Sequence, residues 1–229
     1  MLNAFALGAL TQLSLVLSGL LVFLVTIPRR WVGALAGFGA GALIAAVSRD
    51  LLPEAHALQL FQSAFWAMVG ACAILAGEHY VEKKFGTEGT AGALGIVIGA
   101  VVDGVPEAII FGIQLASGEQ ISAAFIAAVF VSNIPQAVAP SADLAASGWS
   151  SRRVTGLWSW VLLACGVAAV LGYLAGTAVS RVNGSRMAAF AAGGILAMLS
   201  NSLIPFAHER ARGAGFWTVV GFCSSFAMT

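Results

Sequence analysis

Eight mostly apolar stretches follow one another along the chain, joined only by short polar connections. They run at about 4–27, 31–52, 60–79, 91–115, 121–145, 155–179, 186–207 and 213–229. Each approaches the roughly 20 residues that a helix needs to cross the hydrocarbon core of a bilayer. The runs are continuous rather than alternating, which predicts helices and excludes a membrane β-barrel. Only 9% of the 229 residues are charged and 59% are hydrophobic, against about 25% charged in soluble domains. Disorder and nucleic-acid binding are excluded by the same scarcity of charge, the net being +1. The chain therefore reads as an all-α integral membrane protein, one transmembrane domain over 1–229, with the lipid bilayer as its surroundings. The first run lacks the basic start and small-residue cleavage site of a signal peptide. Cys72, Cys165 and Cys223 are odd in number and far apart. They predict neither a disulfide framework nor a zinc site, and are expected as small core residues.

Basic residues in short loops set the orientation of membrane helices. The odd-numbered connections hold Arg29, Arg30, Lys83, Lys84, Arg152, Arg153, Arg210 and Arg212, and the even-numbered ones Arg49, Arg181 and Arg186. Eight against three places the odd connections in the cytoplasm and both termini outside. Glycines recur at helix-packing spacing: Gly33, Gly37 and Gly41; Gly95 and Gly99; Gly172 and Gly176. They predict a closely packed bundle, compatible with a homodimer.

Two internal echoes stand out. Setting Pro53 on Pro205 aligns FGAGALIAAVSRDLLPEAH (38–56) with FAAGGILAMLSNSLIPFAH (190–208), nine of 19 positions being identical. Setting Pro106 on Pro135 aligns VVDGVPEA (101–108) with FVSNIPQA (130–137). Spans two and seven run in opposite directions across the membrane, as do spans four and five. Antiparallel repeats of this kind mark secondary transporters, whose substrate sites lie near the midplane beside interrupted helices.

The chemistry falls at that depth. Asp103 and Glu107 lie near the middle of the fourth span, where an ionised carboxylate costs about 2.5 kcal/mol or more, so intramembrane acids are functional candidates. Four residues apart, they share a helix face. Pro106 between them has no N–H and leaves the Val102 carbonyl without its helical donor. In the fifth span Ser132, Asn133 and Gln136 supply neutral oxygens around Pro135. Two carboxylates among neutral oxygens suit one hard or borderline divalent cation. Asp50, Glu54 and His56 at the outer end of span two are candidates for taking up such a cation. His208 and Glu209 at the inner end of span seven, with Asp143 at the inner end of span five, are candidates for releasing it. Glu78 and His79, beside Lys83 and Lys84, read as a solvated helix end.

The two Pro-centred turns, D-G-V-P-E-A (103–108) and S-N-I-P-Q-A (132–137), together with G-A-G-A-L-I-A-A and L-L-P-E-A-H in span two, resemble the ZIP (Zrt/Irt-like) metal transporters over nearly the whole chain. The resemblance implies eight helices in an inverted 3+2+3 arrangement with helices four and five central. It implies a permease that moves zinc, iron or manganese toward the cytoplasm, the metal being substrate rather than cofactor. It places Asp103, Glu107, Ser132, Asn133 and Gln136 at ligand positions. Gly104 stands where the family has Asn, Gln136 where it has a bridging Glu, and Phe206 where many members have Glu. These departures imply one site rather than two, with all-oxygen donors that tilt selectivity from zinc toward manganese, iron or magnesium. The same departures leave an alternative: a protein of this fold that has lost metal transport and serves as a sensor, an assembly partner or a carrier of another solute. An enzyme is not expected. Asp50 lies near an interface and Asp103 near the midplane, and no Ser with a paired His stands at membrane depth. The short loops, without a His-rich segment, point to a bacterial inner-membrane protein.

Overall fold

The structure, a computed structural model, describes all residues except 56–57, 86–88, 119–120, 179–180 and 228–229, and except the side chains at 54, 81–82, 85, 89–94, 96, 102–103, 117 and 181–183. Among the described residues there is no strand. The helices are α1 (Leu2–Leu21), α2 (Arg29–Ala46, prolonged by a π turn at Val47–Leu51 and a last turn at Leu52–Ala55), α3 (Leu60–Phe85), α4 (Gly89–Ser117), α5 (Ala123–Ala146), α6 (Ser151–Ala178), α7 (Arg181–Met198, prolonged by a π turn at Leu199–Leu203 and by Ile204–Arg210) and α8 (Ala214–Ala227). Seven of them are long and apolar enough to cross a membrane; α8 is apolar but shorter. The protein is a multi-pass helical membrane protein.

Local chemistry explains the boundaries. The first helix stops at Leu21 rather than near residue 27. Val25, Thr26 and Ile27 are β-branched, and Ile27 precedes Pro28, whose ring disfavours a helical residue before it. Pro28 then caps α2. Ser122 caps α5 by accepting the Phe125 N–H at 3.2 Å. Gly118 (φ 72°) and Gly148 (φ 85°) follow α4 and α5 in the left-handed conformation that glycine adopts without strain.

At several helix pairs glycine brings backbone against backbone. α2 lies on α8, where a Cβ on Gly41 would overlap the Thr218 carbonyl and one on Gly37 would come within 2.7 Å of the Ala214 carbonyl oxygen. α3 lies on α7, where Gly193 meets the Ala67 carbonyl and Gly70 the Phe190 carbonyl. α4 lies on α6 through Gly112 against Ala169 and Gly172 against Ile109. α1 lies on α6 through Gly8 and Gly166. α2 also touches α5, where Gly39 leaves room for Ser132. Gly99, expected at a helix contact, faces open space among the described residues. Of the three cysteines only Cys165 is buried; Cys72 and Cys223 lie on exposed helix faces, which in a membrane protein are apolar surroundings.

The echo between α2 and α7 has a structural counterpart. Both helices widen into a π turn at aligned positions, with the Leu52 N–H reaching the Val47 carbonyl and the Ile204 N–H the Leu199 carbonyl, five residues back. Pro53 and Pro205 follow directly, and neither can donate to the preceding turn. Ser48 donates to the Ile44 carbonyl at 2.7 Å, and Ser200 to the Leu196 carbonyl at 2.8 Å.

Candidate metal site

α4 and α5 carry prolines within them, Pro106 in one and Pro135 and Pro140 in the other, yet each runs on as a continuous helix, and the two lie side by side. Phe111 of α4 packs its ring on Phe125 of α5, with centroids 4.9 Å apart. Glu107 is 4% exposed. It lines a crevice of about 10 Å³, with Ile74 of α3 and Phe190, Ala191, Gly194, Ile195 and Met198 of α7. That is the room of about one water molecule. The wall is otherwise apolar, so this carboxyl is the one polar group the crevice offers.

Asn133, 6% exposed, turns toward α1. Its Nδ2 donates to the Thr11 carbonyl at 3.1 Å and to Gln12 Oε1 at 3.2 Å. Ser132 packs on Gly39 and donates its hydroxyl within α5, to the Val129 carbonyl at 2.9 Å. Gln136 is half-buried. The Asp103 side chain lies outside the described residues. Among the described residues no three His, Cys, Asp or Glu side chains converge on one point. Glu107 and Asn133 thus lie on neighbouring proline-containing helices but turn to different partners, Glu107 to the α3–α7 crevice and Asn133 to α1, while Ser132 is committed to the α2–α5 contact.

Gln12 of α1 was not singled out in the sequence, yet it touches both halves of the second echo. It is 1% exposed. Its Oε1 takes the Asn133 amide, and its Nε2 lies 3.2 Å from where a Cβ on Gly104 would stand. Gly104 and Asn133 are the aligned positions of the two motifs. The orientation of this amide pair is fixed by chemistry. The Thr11 carbonyl can only accept, so Asn133 must present Nδ2, and Gln12 must answer with Oε1. Nε2 is then left facing α4, buried and without a hydrogen-bond partner among the described residues. A buried donor in that condition costs about 1–3 kcal/mol. The only hint in the sequence is a Thr-Gln pair inside an apolar run.

The peripheral candidates separate into two ends. Asp50 of the α2 π turn receives a hydrogen bond from Ser122 and lies beside Arg49. Arg49 reaches α8, donating to the Phe226 carbonyl at 3.3 Å. Glu54, by its side chain, and His56 lie outside the described residues. At the other end His208 Nδ1 is 3.0 Å from the Ile204 carbonyl, and Glu209 pairs with Arg210 at 3.4 Å. Asp143 is exposed and within electrostatic reach of Arg210. Arg210 also lies over the Phe206 ring, 3.6 Å from its centroid. Glu78 is not a merely solvated helix end. Its carboxylate accepts Asn201 Nδ2 at 2.7 Å and the Ser202 hydroxyl at 2.5 Å, tying α3 to the π turn of α7.

No known family's sequence pattern matches the chain, and no curated protein matches it significantly.

Proposed function

We propose that the protein is a permease of the ZIP type that moves a divalent transition-metal cation toward the cytoplasm. The observation that carries this reading is Glu107: a carboxyl buried in mid-span, beside Pro106, on a helix packed against a second proline-containing helix that bears buried Asn133. A carboxylate at that depth is costly and suits an ion pathway. The π turns at aligned positions of α2 and α7 support an inverted repeat, and with it a 3+2+3 arrangement around α4 and α5. In this reading Asp103 and Glu107 supply charge, while Asn133 Oδ1 and Gln136 supply neutral oxygens. Asp50, Glu54 and His56 stand on the outer side, and Asp143, His208 and Glu209 on the inner side.

The test is uptake into proteoliposomes, with Zn²⁺, Mn²⁺, Fe²⁺ and Mg²⁺ compared. Saturable uptake of one ion by the wild type, abolished in a folded Glu107→Ala variant, is the expected result. Wild-type rates in that variant would remove Glu107 from the pathway. A second reading, a protein of this fold without metal transport, is favoured by Ser132 and the Asn133 amide being engaged by protein groups. Absence of uptake of all four ions by folded wild type would select it.

A further inference from the structure

Two of the connections that the basic residues assign to the cytoplasm, far apart in sequence, meet at one place. A Cβ on Gly33, near the start of α2, would stand 2.8 Å from Arg210 Cβ and 2.8 Å from the Ala211 backbone nitrogen at the end of α7. Arg29 and Arg30 lie about one turn before Gly33, and Arg29 is within electrostatic reach of Arg210. Arg212 follows in the short link to α8, whose first residue, Ala214, meets Gly37 of α2. Four guanidinium groups are thus gathered where α2 begins, α7 ends and α8 begins, and Arg29, Arg30 and Arg212 are exposed. The carboxylates described beside them are Glu209, paired with Arg210 at 3.4 Å, and Asp143 of α5, also within reach of Arg210. Four against two leaves the patch positive. At the end of α3, by contrast, Lys83 and Lys84 are matched in number by Glu78 and Glu82. Like charges held together repel one another, and an anion among them relieves that repulsion.

The position of the patch names the anion. Trp31 and Trp217, with ring centroids 6.5 Å apart, and exposed Phe216 stand between the arginines and the apolar lengths of α2 and α8. Tryptophan at the end of a spanning helix sits at headgroup depth, so guanidinium groups just beyond it are level with the lipid phosphates. Arginine meets a phosphate with two parallel N–H donors, and clusters of basic residues at the cytoplasmic ends of membrane helices attract anionic lipids. α2 also begins after Pro28 without a side-chain cap, so its first N–H groups open on the same layer. We infer that this patch binds the headgroup of an anionic phospholipid of the cytoplasmic leaflet, with Arg29 and Arg210 at its centre and Arg30 and Arg212 beside them. The inference is independent of what the protein transports.

The experiment uses the full chain in a neutral detergent, titrated with phosphatidylglycerol or with phosphatidylcholine of the same acyl chains, and counts retained lipid by native mass spectrometry. Wild type is expected to retain phosphatidylglycerol in preference. Each arginine near an anionic headgroup contributes about fivefold, so Arg29→Gln combined with Arg210→Gln should weaken retention about 25-fold. Lys83→Gln with Lys84→Gln removes the same charge from the same side of the membrane and should leave retention unchanged. Glu209→Gln releases Arg210 from its carboxylate and should tighten it. If the Arg29 and Arg210 variant does not fold, Arg30→Gln with Arg212→Gln, both at exposed positions, carries the test. Equal losses from the arginine and lysine pairs would overturn the inference by showing that net charge alone attracts the lipid. So would equal retention of the two lipids by wild type. Inorganic phosphate raising the unfolding midpoint of the lipid-free protein, with no preference between the lipids, would reassign the patch to a soluble anion.

Discussion

Position 104 shows how one side chain can stand in for another from a different helix. A Cβ on Gly104 would lie 3.1 Å from Cys165 Sγ and 3.2 Å from Gln12 Nε2, closer than side-chain atoms normally pack. Installing a side chain there, as in Gly104→Asn, should therefore destabilise the protein by about 2 kcal/mol through overpacking. In a Gln12→Ala background the loss should shrink, because the incoming amide takes the vacated space. A double-mutant cycle on thermal unfolding measures the difference, and additive losses would mean that the two residues do not compete. The reach of sequence reading ends at this scale. Glu107 is legible because a charge in a long apolar run has few explanations. Gln12 is not, because a lone amide carries no periodicity and its partners, Asn133 and Gly104, lie more than 90 residues away on other helices.

Among the helices, the π turns of α2 and α7 are pinned from outside at aligned positions. Arg49 reaches the end of α8, and Asn201 with Ser202 reaches Glu78 on α3. Glu78→Leu removes the acceptor for two donors and should lower stability by about 1–2 kcal/mol, given their partial exposure, whereas Glu78→Gln should cost less than half of that. Equal losses from the two variants would show that the carboxylate's hydrogen bonds contribute nothing. The glycine contacts make a paired prediction. Gly41→Leu and Gly193→Leu should each cost 3 kcal/mol or more, about the upper range of overpacking. Gly99→Ala, facing open space, should instead stabilise α4 by about 0.5–1 kcal/mol. Unfolding midpoints in one detergent compare all three. The prolines and serines that build the π turns could be aligned from sequence alone. Their widening could not, because it depends on how each helix relieves a missing N–H. Glu78 looked like a helix end because Lys83 and Lys84 follow it. Only the arrival of α7 gives it partners.

For the molecule as a whole, eight basic residues against three predict that both termini face outward. In a background without Cys72, Cys165 and Cys223, Glu119→Cys should react with a membrane-impermeant maleimide in intact cells. Ser147→Cys should react only after lysis. The reverse pattern would invert the topology and exchange the assigned uptake and release ends. The number and order of the helices were legible in the spacing of apolar runs, since hydrophobic length is set by the bilayer rather than by tertiary contacts. Which helices touch was not, because that depends on where opposing glycines meet.

The glycine contacts also define where the bundle is free to slip. α4 is meshed with α6, and α6 with α1, through interlocked main chains; α3 is meshed with α7 in the same way. Between α4 and the α3–α7 pair, none of the glycines whose surroundings are described brings two main chains together, and around Glu107 the joint is filled by side chains such as Ile74, Ile195 and Met198. Side chains exchange rotamers in nanoseconds, whereas meshed backbones must separate before they can shift. A sliding motion of the molecule would thus follow this joint, and Glu107 lies on it. The carboxyl would ride with α4 past a stationary apolar wall, like a load carried along a rail.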